Sequence, residues 1–284
     1  MNNDKIAILV DSGMDVPTKL IKEYNMYVTP LKIIYKDREY FDGVDISAEE
    51  VYSKLTTEVP TTSLPTGSEI QEVLKKIKAD GYEKVLALTI SSGLSGTYNA
   101  IRLMADQQSD LDISVVDTKN ISTASGFSAI QAAEYIKEGM DWNTLVKTTT
   151  DNIANSKVFF CVSTLEYLQK GGRIGLVASI LGSTLNLKPI ISCNDEGIYF
   201  TVAKIIGKKR SQQKALDLAV EFIGDAKNYN LGVVHGAAEE DAIQLKNLMI
   251  SKLPNAKVFV EGQISPALGV HTGPGTIGII AQKL

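Results

Sequence analysis

Short apolar runs alternate with amphipathic stretches along the first half of the chain. The apolar runs predict strands, which fall at residues 6–10, 27–35, 85–90 and 113–117. The amphipathic stretches predict helices, which fall at residues 16–24, 47–55, 68–79, 97–104 and 122–137. Ser47 and Glu50 form a capping box at the start of one of these helices. Strand and helix alternation of this kind predicts a mainly parallel sheet with helices on both faces.

The pattern changes after a helix predicted at residues 141–155. Further strands are predicted at 158–162, 189–193, 198–206, 231–235, 258–260 and 277–280, and further helices at 211–223 and 239–253. We place a domain boundary near residue 156, so that an N-terminal α/β domain covers residues 1–156 and a C-terminal α/β domain covers 157–284. The second domain is expected to contain a mixed sheet with helices.

The composition excludes several classes of protein. With 284 residues, 44% of them apolar and 22% charged, the chain is long enough to bury a substantial core. Its net charge of −4 gives no basic footprint for nucleic acid. Cys161 and Cys193 are expected to be reduced core residues, and their spacing does not suit a metal. Neither an export signal nor a run of about 18 apolar residues is seen, so we expect a cytoplasmic protein.

The sequence Ser-Ser-Gly-Leu-Ser-Gly-Thr at residues 91–97 stands between a predicted strand and a predicted helix. Small residues there leave backbone N–H groups free at a helix N-terminus, where an anion is stabilised. The spacing of Gly93 and Gly96 matches neither a dinucleotide fingerprint nor a P-loop, which argues against ATP or NAD. A plain turn, in which Ser95 or Thr97 caps the helix, stays open as an alternative.

A serine hydrolase is a second alternative for the same turn. Ser95 comes close to the G-x-S-x-G elbow, but the second glycine comes one residue too early. The chain offers His235 and His271 as bases and Asp117 as an orienting carboxylate. In the hydrolase alternative that we keep, Ser95 is the nucleophile and His271 is its base. Whether such residues meet depends on the fold and not on their order in the sequence.

Two other segments offer polar groups to the same anion. The loop at residues 58–67 carries the hydroxyls of Thr62 and Ser63, which either face solvent or converge on the ligand. A carboxylate in an apolar pocket needs such donors, because its burial is costly without hydrogen bonds. His271 lies among hydroxyl residues and glycines, which favours a hydrogen-bonding role. It has no neighbours at metal-ligand spacing, so we expect no metal.

Taken together, these segments resemble the DegV family. The matching elements are residues 10–12 (Val-Asp-Ser), 44–46 (Val-Asp-Ile), Thr62-Ser63 before Pro65, 91–97, 170–174 (Lys-Gly-Gly-Arg-Ile) and 271–275 (His-Thr-Gly-Pro-Gly). Each element is weak by itself, but the ordered set covers essentially the whole chain and is highly specific. The resemblance implies two α/β domains with a long-chain fatty acid, such as palmitate, buried between them.

The resemblance also implies a non-catalytic role as the lipid-binding subunit of a bacterial fatty acid kinase. Such a protein presents the fatty acid carboxylate to a separate ATP-binding subunit, which makes an acyl phosphate for phospholipid synthesis. The expected partners are the fatty acid and the kinase subunit, with transient membrane contact for lipid exchange and no cofactor. At about 0.8 kcal/mol per methylene, burial of a sixteen-carbon tail contributes on the order of 10 kcal/mol before ordering costs.

By position, the resemblance assigns roles to residues of the head-group site. Thr62 and Ser95 are expected to hydrogen-bond the carboxylate, and His271 is expected to belong to the network around it. The other ligand contacts expected are Ser63, Ser92 and Gly96.

The charged residues and one departure from the family complete the assignment. Arg173 and Arg210 are expected to act in partner docking or phosphoryl transfer. Leu64 stands where relatives often have glutamine, so the polar network beyond Thr62 is expected to be thinner. Neither hydroxyl-bearing loop contains a lysine or arginine, which predicts a carboxylate that is hydrogen-bonded and not locked in an ion pair.

Overall fold

The strands and helices form three sheets with helices packed against them. The structure, a computed structural model, describes residues 4–180 and 187–284. In these ranges the strands are β1 (Ile6–Asp11), β2 (Tyr27–Thr29), β3 (Lys32–Ile34), β4 (Glu39–Phe41), β5 (Thr61–Ser63), β6 (Lys84–Thr89), β7 (Asp112–Asp117), β8 (Ser156–Cys161), β9 (Leu187–Cys193), β10 (Tyr199–Ile206), β11 (Tyr229–Gly236), β12 (Phe259–Gln263) and β13 (Thr276–Lys283). The α-helices are α1 (Thr18–Glu23), α2 (Ala48–Lys54), α3 (Gly67–Ala79), α4 (Thr97–Ala105), α5 (Ser122–Lys137), α6 (Trp142–Asp151), α7 (Glu166–Lys170), α8 (Lys208–Ile223), α9 (Glu239–Lys252) and α10 (Pro266–Thr272). Short 3-10 helices cover Ser12–Met14, Ile153–Asn155 and Gly175–Ile180.

The first sheet is parallel and has the strand order β2-β1-β6-β7. Successive side chains of β1 point to opposite faces. Ile8 and Val10 therefore enter one hydrophobic cluster, whereas Ala7 and Leu9 enter a second cluster formed with α3 and α4. Both faces of the sheet are covered. This confirms the predicted parallel sheet with helices on both faces.

The second sheet is mixed and has the strand order β10-β9-β8-β13-β11-β12. β11 and β12 pair in parallel, and the other neighbours pair antiparallel. One face packs against α8 and α9 in a hydrophobic cluster of its own. The prediction of two α/β domains, the second with a mixed sheet, is confirmed. β8 begins at Ser156, and the domain boundary near residue 156 stays a prediction.

Helix α5 lies between the two sheets and joins their cores. Its residues from Ser122 to Ala133 are all buried, because it contacts β1 and β6 on one side and β8, β11 and β13 on the other. Phe127 belongs to one hydrophobic cluster with Ile8 of the first sheet and Phe160 of the second. The two domains therefore share a core, which fixes the relative positions of the loops at the domain interface.

The segment between the first two helices departs from the prediction. The apolar pattern predicts one strand at residues 27–35, but the structure has β2 and β3, because Pro30 has no N–H for a continuous ladder. β3 instead forms an antiparallel sheet with β4 and β5. In β5, Thr62 pairs with Ile33. The prediction of a loop at residues 58–67 is therefore wrong for residues 61–63, which form β5.

Helix starts depend on capping, and the structure revises one of them. The Ser47 capping box of α2 is confirmed. α3 begins at Gly67 behind a capping box of Thr66 and Glu69, one residue before the start predicted at residue 68. α10 is a helix that the pattern does not predict, because Pro266 and a nearby glycine lower its helix propensity. Pro266 is tolerated because it occupies the first turn, where an N–H has no partner within the helix.

Candidate functional site

The turn at residues 91–97 is anchored on the second domain. The hydroxyl of the buried Ser91 donates a hydrogen bond to the carbonyl oxygen of Gly197 in the β9–β10 hairpin, at 2.8 Å. A Cβ atom at Gly197 would lie 1.9 Å from Ser91 Oγ, so a residue with a side chain does not fit this contact. The turn therefore lies at the domain interface, where both domains determine its position.

Ser95 combines part of a capping role with a place beside a cavity. Its Oγ accepts the N–H of Thr97 at 3.3 Å and shares a hydrogen bond with Thr97 Oγ1 at 2.9 Å. Gly96 occupies the N-cap position of α4 and has no side chain that could cap the helix. Ser95 also lines the cavity between the domains. The capping and anion-binding interpretations of this turn are therefore compatible.

Thr62 and His271 meet across the domain interface. Successive side chains in a strand alternate, so β5 exposes Thr61 and turns Thr62 towards the cavity. His271 lies in the last turn of α10. Thr62 Oγ1 and His271 Nε2 form a hydrogen bond of 2.6 Å. Two residues that are 209 positions apart in the sequence thus share one polar contact.

The surroundings of His271 keep its imidazole neutral. Burial, and to a smaller extent the positive charge of Arg173, lower its pKa to about 3. The ring packs against Gly171, and Nδ1 is buried without a hydrogen-bond partner in the part of the chain that the structure describes. An unpaired buried N–H is rarer in proteins than an unpaired acceptor. We therefore assign the proton to Nε2, which donates it to Thr62 Oγ1.

Arg173 brings a positive charge to the cavity. α7 ends at Lys170 with Gly171 as its C-cap, and Gly172, with a φ of 71°, reverses the chain just before Arg173. Arg173 Nε donates to the carbonyl oxygen of Leu94 at 3.2 Å, and Nη1 donates to that of Gly171 at 2.7 Å. Among the described residues, no carboxylate forms an ion pair with it. The two hydroxyl-bearing loops lack a cation, as the sequence shows, but this third segment brings one to the same cavity. The absence of a cation from the two loops therefore does not by itself exclude an ion pair with the carboxylate.

These residues surround one cavity of about 180 Å³ between the domains. Its polar lining consists of Thr62, Ser63, Ser95, Arg173, His271 and Thr272. Its other lining residues are Leu31, Leu64, Ile90, Leu94, Gly96, Ile121, Tyr199, Ala267 and Leu268. A few convergent donors in a largely apolar cavity suit a ligand with one polar end.

Most of the predicted site residues line this cavity, namely Thr62, Ser63, Ser95, Gly96, Arg173 and His271. Ser92 is not among the lining residues: its N–H donates to Asp117 Oδ1 at 3.1 Å, and its Oγ accepts from Lys119 at 3.4 Å. Arg210 is exposed in the first turn of α8. Leu64 lines the cavity with 37% of its surface exposed. The roles of these residues stay predictions.

Tyr199 and Ile121 also line the cavity, although the sequence pattern did not predict them there. Tyr199 begins β10 and contacts Phe160 edge to face, with 5.1 Å between the ring centroids. Burial raises the pKa of its phenol well above the usual value, so the phenol remains neutral. Ile121 directly precedes α5. Only apolar character could have indicated these two residues, and most of the core shares it.

The residues of the hydrolase alternative are not assembled into a triad. In the described part of the chain, His271 Nε2 is bonded to Thr62 and not to Ser95. Asp117 forms an ion pair with Lys119 at 2.9 Å instead of orienting a histidine. A serine nucleophile needs a base within hydrogen-bond reach and a group that orients the base. The described side chains provide neither for Ser95.

Across residues 4–180 and 187–284, no three His, Cys, Asp or Glu side chains are grouped so that they could hold a metal ion. No helix in the same ranges is long and apolar enough to cross a membrane. Cys161 and Cys193 are buried free thiols. Burial raises the pKa of Cys161 to about 11 and that of Cys193 to about 12, so both remain protonated at neutral pH.

Comparison with known proteins identifies the family. A family model described as "Uncharacterised protein, DegV family" matches residues 5–284. The chain belongs to the DegV family. Among its DegV relatives, a DegV domain-containing protein of Clostridium perfringens is 43% identical over 279 residues, which cover 98% of this chain and 99% of the relative. The predicted family is therefore confirmed.

Solved structures of other DegV proteins share this fold. The structure described as fatty acid binding of a DegV family protein from Thermus thermophilus has a TM-score of 0.93 and 27% identity, and covers 100% of both chains. A protein from Eubacterium ventriosum, described as stearic acid-binding, has a TM-score of 0.88 and 25% identity, and covers 98% of both chains. The DegV fold of this chain is thus the fold of proteins described as fatty acid binders.

Replacement of His271 by glutamine in this DegV chain is expected to reduce its sensitivity to acid. The pKa of His271 is about 3 in the folded chain and near 6.5 when unfolded, so the unfolded chain gains protons first as the pH falls. His271 therefore lowers the free energy of unfolding of the wild type by about 1–2 kcal/mol between pH 7 and about pH 5. Urea titrations should show the variant losing less stability over that interval.

The second histidine provides the matched control for this measurement. His235 on β11 is only partly buried, and its pKa is lowered mainly by desolvation. His235→Gln should therefore change the pH profile of stability less than His271→Gln does. Parallel profiles for the wild type and His271→Gln would contradict a buried neutral imidazole at position 271.

Proposed function

We propose that the chain binds a long-chain fatty acid in the cavity between its two domains. The observation that carries this proposal is the meeting, in one largely apolar cavity, of the Thr62 and Ser95 hydroxyls with the cation of Arg173. Hydroxyl donors and a guanidinium suit a carboxylate, and apolar side chains suit a hydrocarbon tail. The DegV structures described as fatty acid-binding and stearic acid-binding support the same class of ligand.

The Thr62–His271 pair prepares one donor for the carboxylate. When Nε2–H of His271 donates to Thr62 Oγ1, the hydrogen of the Thr62 hydroxyl is left for the ligand, because a hydroxyl accepts and donates at once. His271 is neutral and therefore acts by orienting Thr62 and not by its charge. Arg173 supplies the charge, and its two hydrogen bonds to backbone carbonyls hold it at the cavity.

The proposal includes presentation of the carboxylate to a separate ATP-binding kinase subunit. There a carboxylate oxygen attacks the terminal phosphorus of ATP, the bond to ADP breaks, and an acyl phosphate forms. The chain supplies no nucleophile to this step and acts as a non-catalytic lipid-binding subunit. Arg173 and Arg210 are the proposed contacts for partner docking or phosphoryl transfer. A cytoplasmic location, transient membrane contact and a preference for palmitate belong to the same proposal.

Protein purified from a bacterial host is expected to carry about one long-chain fatty acid per chain, because burial of the tail contributes on the order of 10 kcal/mol. Mass spectrometry after denaturation measures this ligand, and an unrelated protein purified in parallel gives the background. The chain stripped of lipid should bind added palmitate again. Lack of bound fatty acid, together with no binding of added palmitate, would refute the proposed function.

The hydrolase alternative is tested on the same protein. A fluorophosphonate probe labels serines that a neighbouring base activates. We expect no labelling of Ser95, because its hydroxyl is bonded to Thr97 and not to a histidine. Labelling that disappears in Ser95→Ala would favour the hydrolase.

A further inference from the structure

Helix α10 forms one side of the cavity and needs support from outside itself. Ala267, Leu268, His271 and Thr272 all line the cavity. The helix has only 7 residues, and helices of that length are not stable by themselves in water. Contacts with the rest of the protein therefore determine where His271 lies.

Two carboxylates of the N-terminal domain hold the start of α10. The N–H of Ser265, at the N-cap, donates to Asp15 Oδ1 at 3.0 Å. The N–H of Ala267 donates to Asp42 Oδ1 at 2.8 Å. These N–H groups have no partner within the helix, and negative charge is favourable at this end of it. The domain that carries Thr62 thus holds the helix that carries His271.

The second oxygen of each carboxylate also accepts a hydrogen bond. Asp42 Oδ2 accepts from the hydroxyl of Ser12 at 2.6 Å, and that hydroxyl accepts the N–H of Leu31, a cavity residue. Asp15 Oδ2 accepts from the hydroxyl of Ser122 at 2.5 Å. Each carboxylate is therefore fixed on one side and directed at α10 on the other. Such hydrogen bonds restrict the orientation of the side chain.

This arrangement is costly for the fold. Asp42 is only 2% exposed, and burial raises its pKa. Burial also raises the pKa of Asp15 and of the neighbouring Asp11 to about 7, and the three carboxylates repel one another. Among the described residues, none of the three forms an ion pair. Buried carboxylates without cations destabilise a fold relative to apolar residues, so their presence points to a function.

We infer that Asp15 and Asp42 are positioning residues for the head-group site: they hold the first N–H groups of α10 and so keep His271 against Thr62. This inference rests on the proposed function, since it assigns these residues to the same site. It extends the site to two acidic residues that do not line the cavity. A purely structural role would make them matter for stability alone.

Asp42→Leu and Asp42→Asn test this inference in the full chain. Leucine has no acceptor for the Ala267 N–H, whereas asparagine keeps an oxygen there. We expect Asp42→Leu to shift the imidazole NMR signals of His271 and to weaken palmitate binding by about tenfold, and Asp42→Asn to stay within about twofold of the wild type. The chain has 2 histidines, so both imidazoles can be followed, and His235 serves as the internal reference.

Asp141→Leu is the matched control. Asp141 is also an N-cap carboxylate that accepts a backbone N–H, that of Thr144 at 3.1 Å, but it caps α6 and does not line the cavity. This variant should lose stability and leave His271 and palmitate binding unchanged. Equal changes of the His271 signals in Asp141→Leu and Asp42→Leu would overturn the inference, and so would a folded Asp42→Leu protein with unchanged signals.

A second variant covers the case in which Asp42→Leu does not fold. Ser12→Ala keeps the Asp42 carboxylate but removes the hydroxyl that orients it. We expect a smaller shift of the His271 signals in the same direction, and unchanged signals would overturn the inference. The imidazole signals can be measured in the lipid-free chain. A wild-type chain that binds no palmitate would therefore refute the proposed function, while the signals would still decide the positioning role.

Discussion

Replacement of Thr62 by valine together with Ser95 by alanine is expected to raise the dissociation constant for palmitate by about 100-fold. Both substitutions remove a hydroxyl and little else, because valine keeps the branched shape that suits β5. Hydrogen bonds to charged groups contribute about 1.5–3 kcal/mol each, and a combined loss of about 3 kcal/mol corresponds to this factor. Titration of the lipid-free protein with palmitate in a calorimeter measures the constant.

Two controls separate recognition of the carboxylate from general damage. Thr61→Val with Ser68→Ala makes the same changes at exposed positions that do not line the cavity, and should leave palmitate binding unchanged. Hexadecanol keeps the tail but lacks the carboxylate, so the site variant should bind it nearly as well as the wild type does. Equal losses for palmitate and hexadecanol would mean that the two hydroxyls do not recognise the carboxylate.

Replacement of Gly171 by alanine is expected to disrupt the same site without removing a polar group. The new Cβ atom would lie 2.0 Å from His271 Nδ1 and 2.8 Å from Cε1, so the imidazole cannot keep its position beside Thr62. Overpacking of a buried contact typically costs about 1–3 kcal/mol. We expect urea titration to show a loss of about 2 kcal/mol in the free energy of unfolding. We also expect palmitate binding to weaken by about tenfold.

Gly67→Ala is the matched control for this substitution. Gly67 begins α3, and a Cβ atom there would meet only the flexible end of the Met104 side chain, at 3.1 Å. Alanine favours a helix more than glycine does, so this variant should be at least as stable as the wild type. Gly171→Ala with wild-type stability and palmitate affinity would show that His271 does not pack against Gly171.

Elements with a strong local pattern were predictable from the sequence. β1, β6 and α5 form where the apolar residues place them, because the burial of each is encoded in a few consecutive positions. Prediction failed where pairing with distant residues decides the structure. Pro30 divides one apolar run between two sheets, and β5 is a strand because it pairs with β3. α10 forms in spite of its weak helix propensity, because carboxylates from the other domain hold its start.

The candidate site was predictable only in part. The hydroxyl-rich turn at residues 91–97 has a composition that suits an anion, and its place before a helix follows from the local pattern. Composition offered Thr62 and His271 as possible polar partners of this turn, and the family resemblance assigned them and Arg173 their roles. Tyr199 carried no signal, because a cavity-lining tyrosine and a core tyrosine look alike in a single sequence.

By itself, the sequence determined two α/β domains, a turn suited to an anion, and membership of a family through an ordered set of short motifs. Each of these elements and motifs depends on residues that are close together in the chain. Only the tertiary structure decided that Thr62 meets His271, that Arg173 reaches the cavity, and that Asp15 and Asp42 hold α10. Such contacts join positions as many as 250 residues apart. They depend on how two sheets pack around a shared helix, which no local pattern encodes.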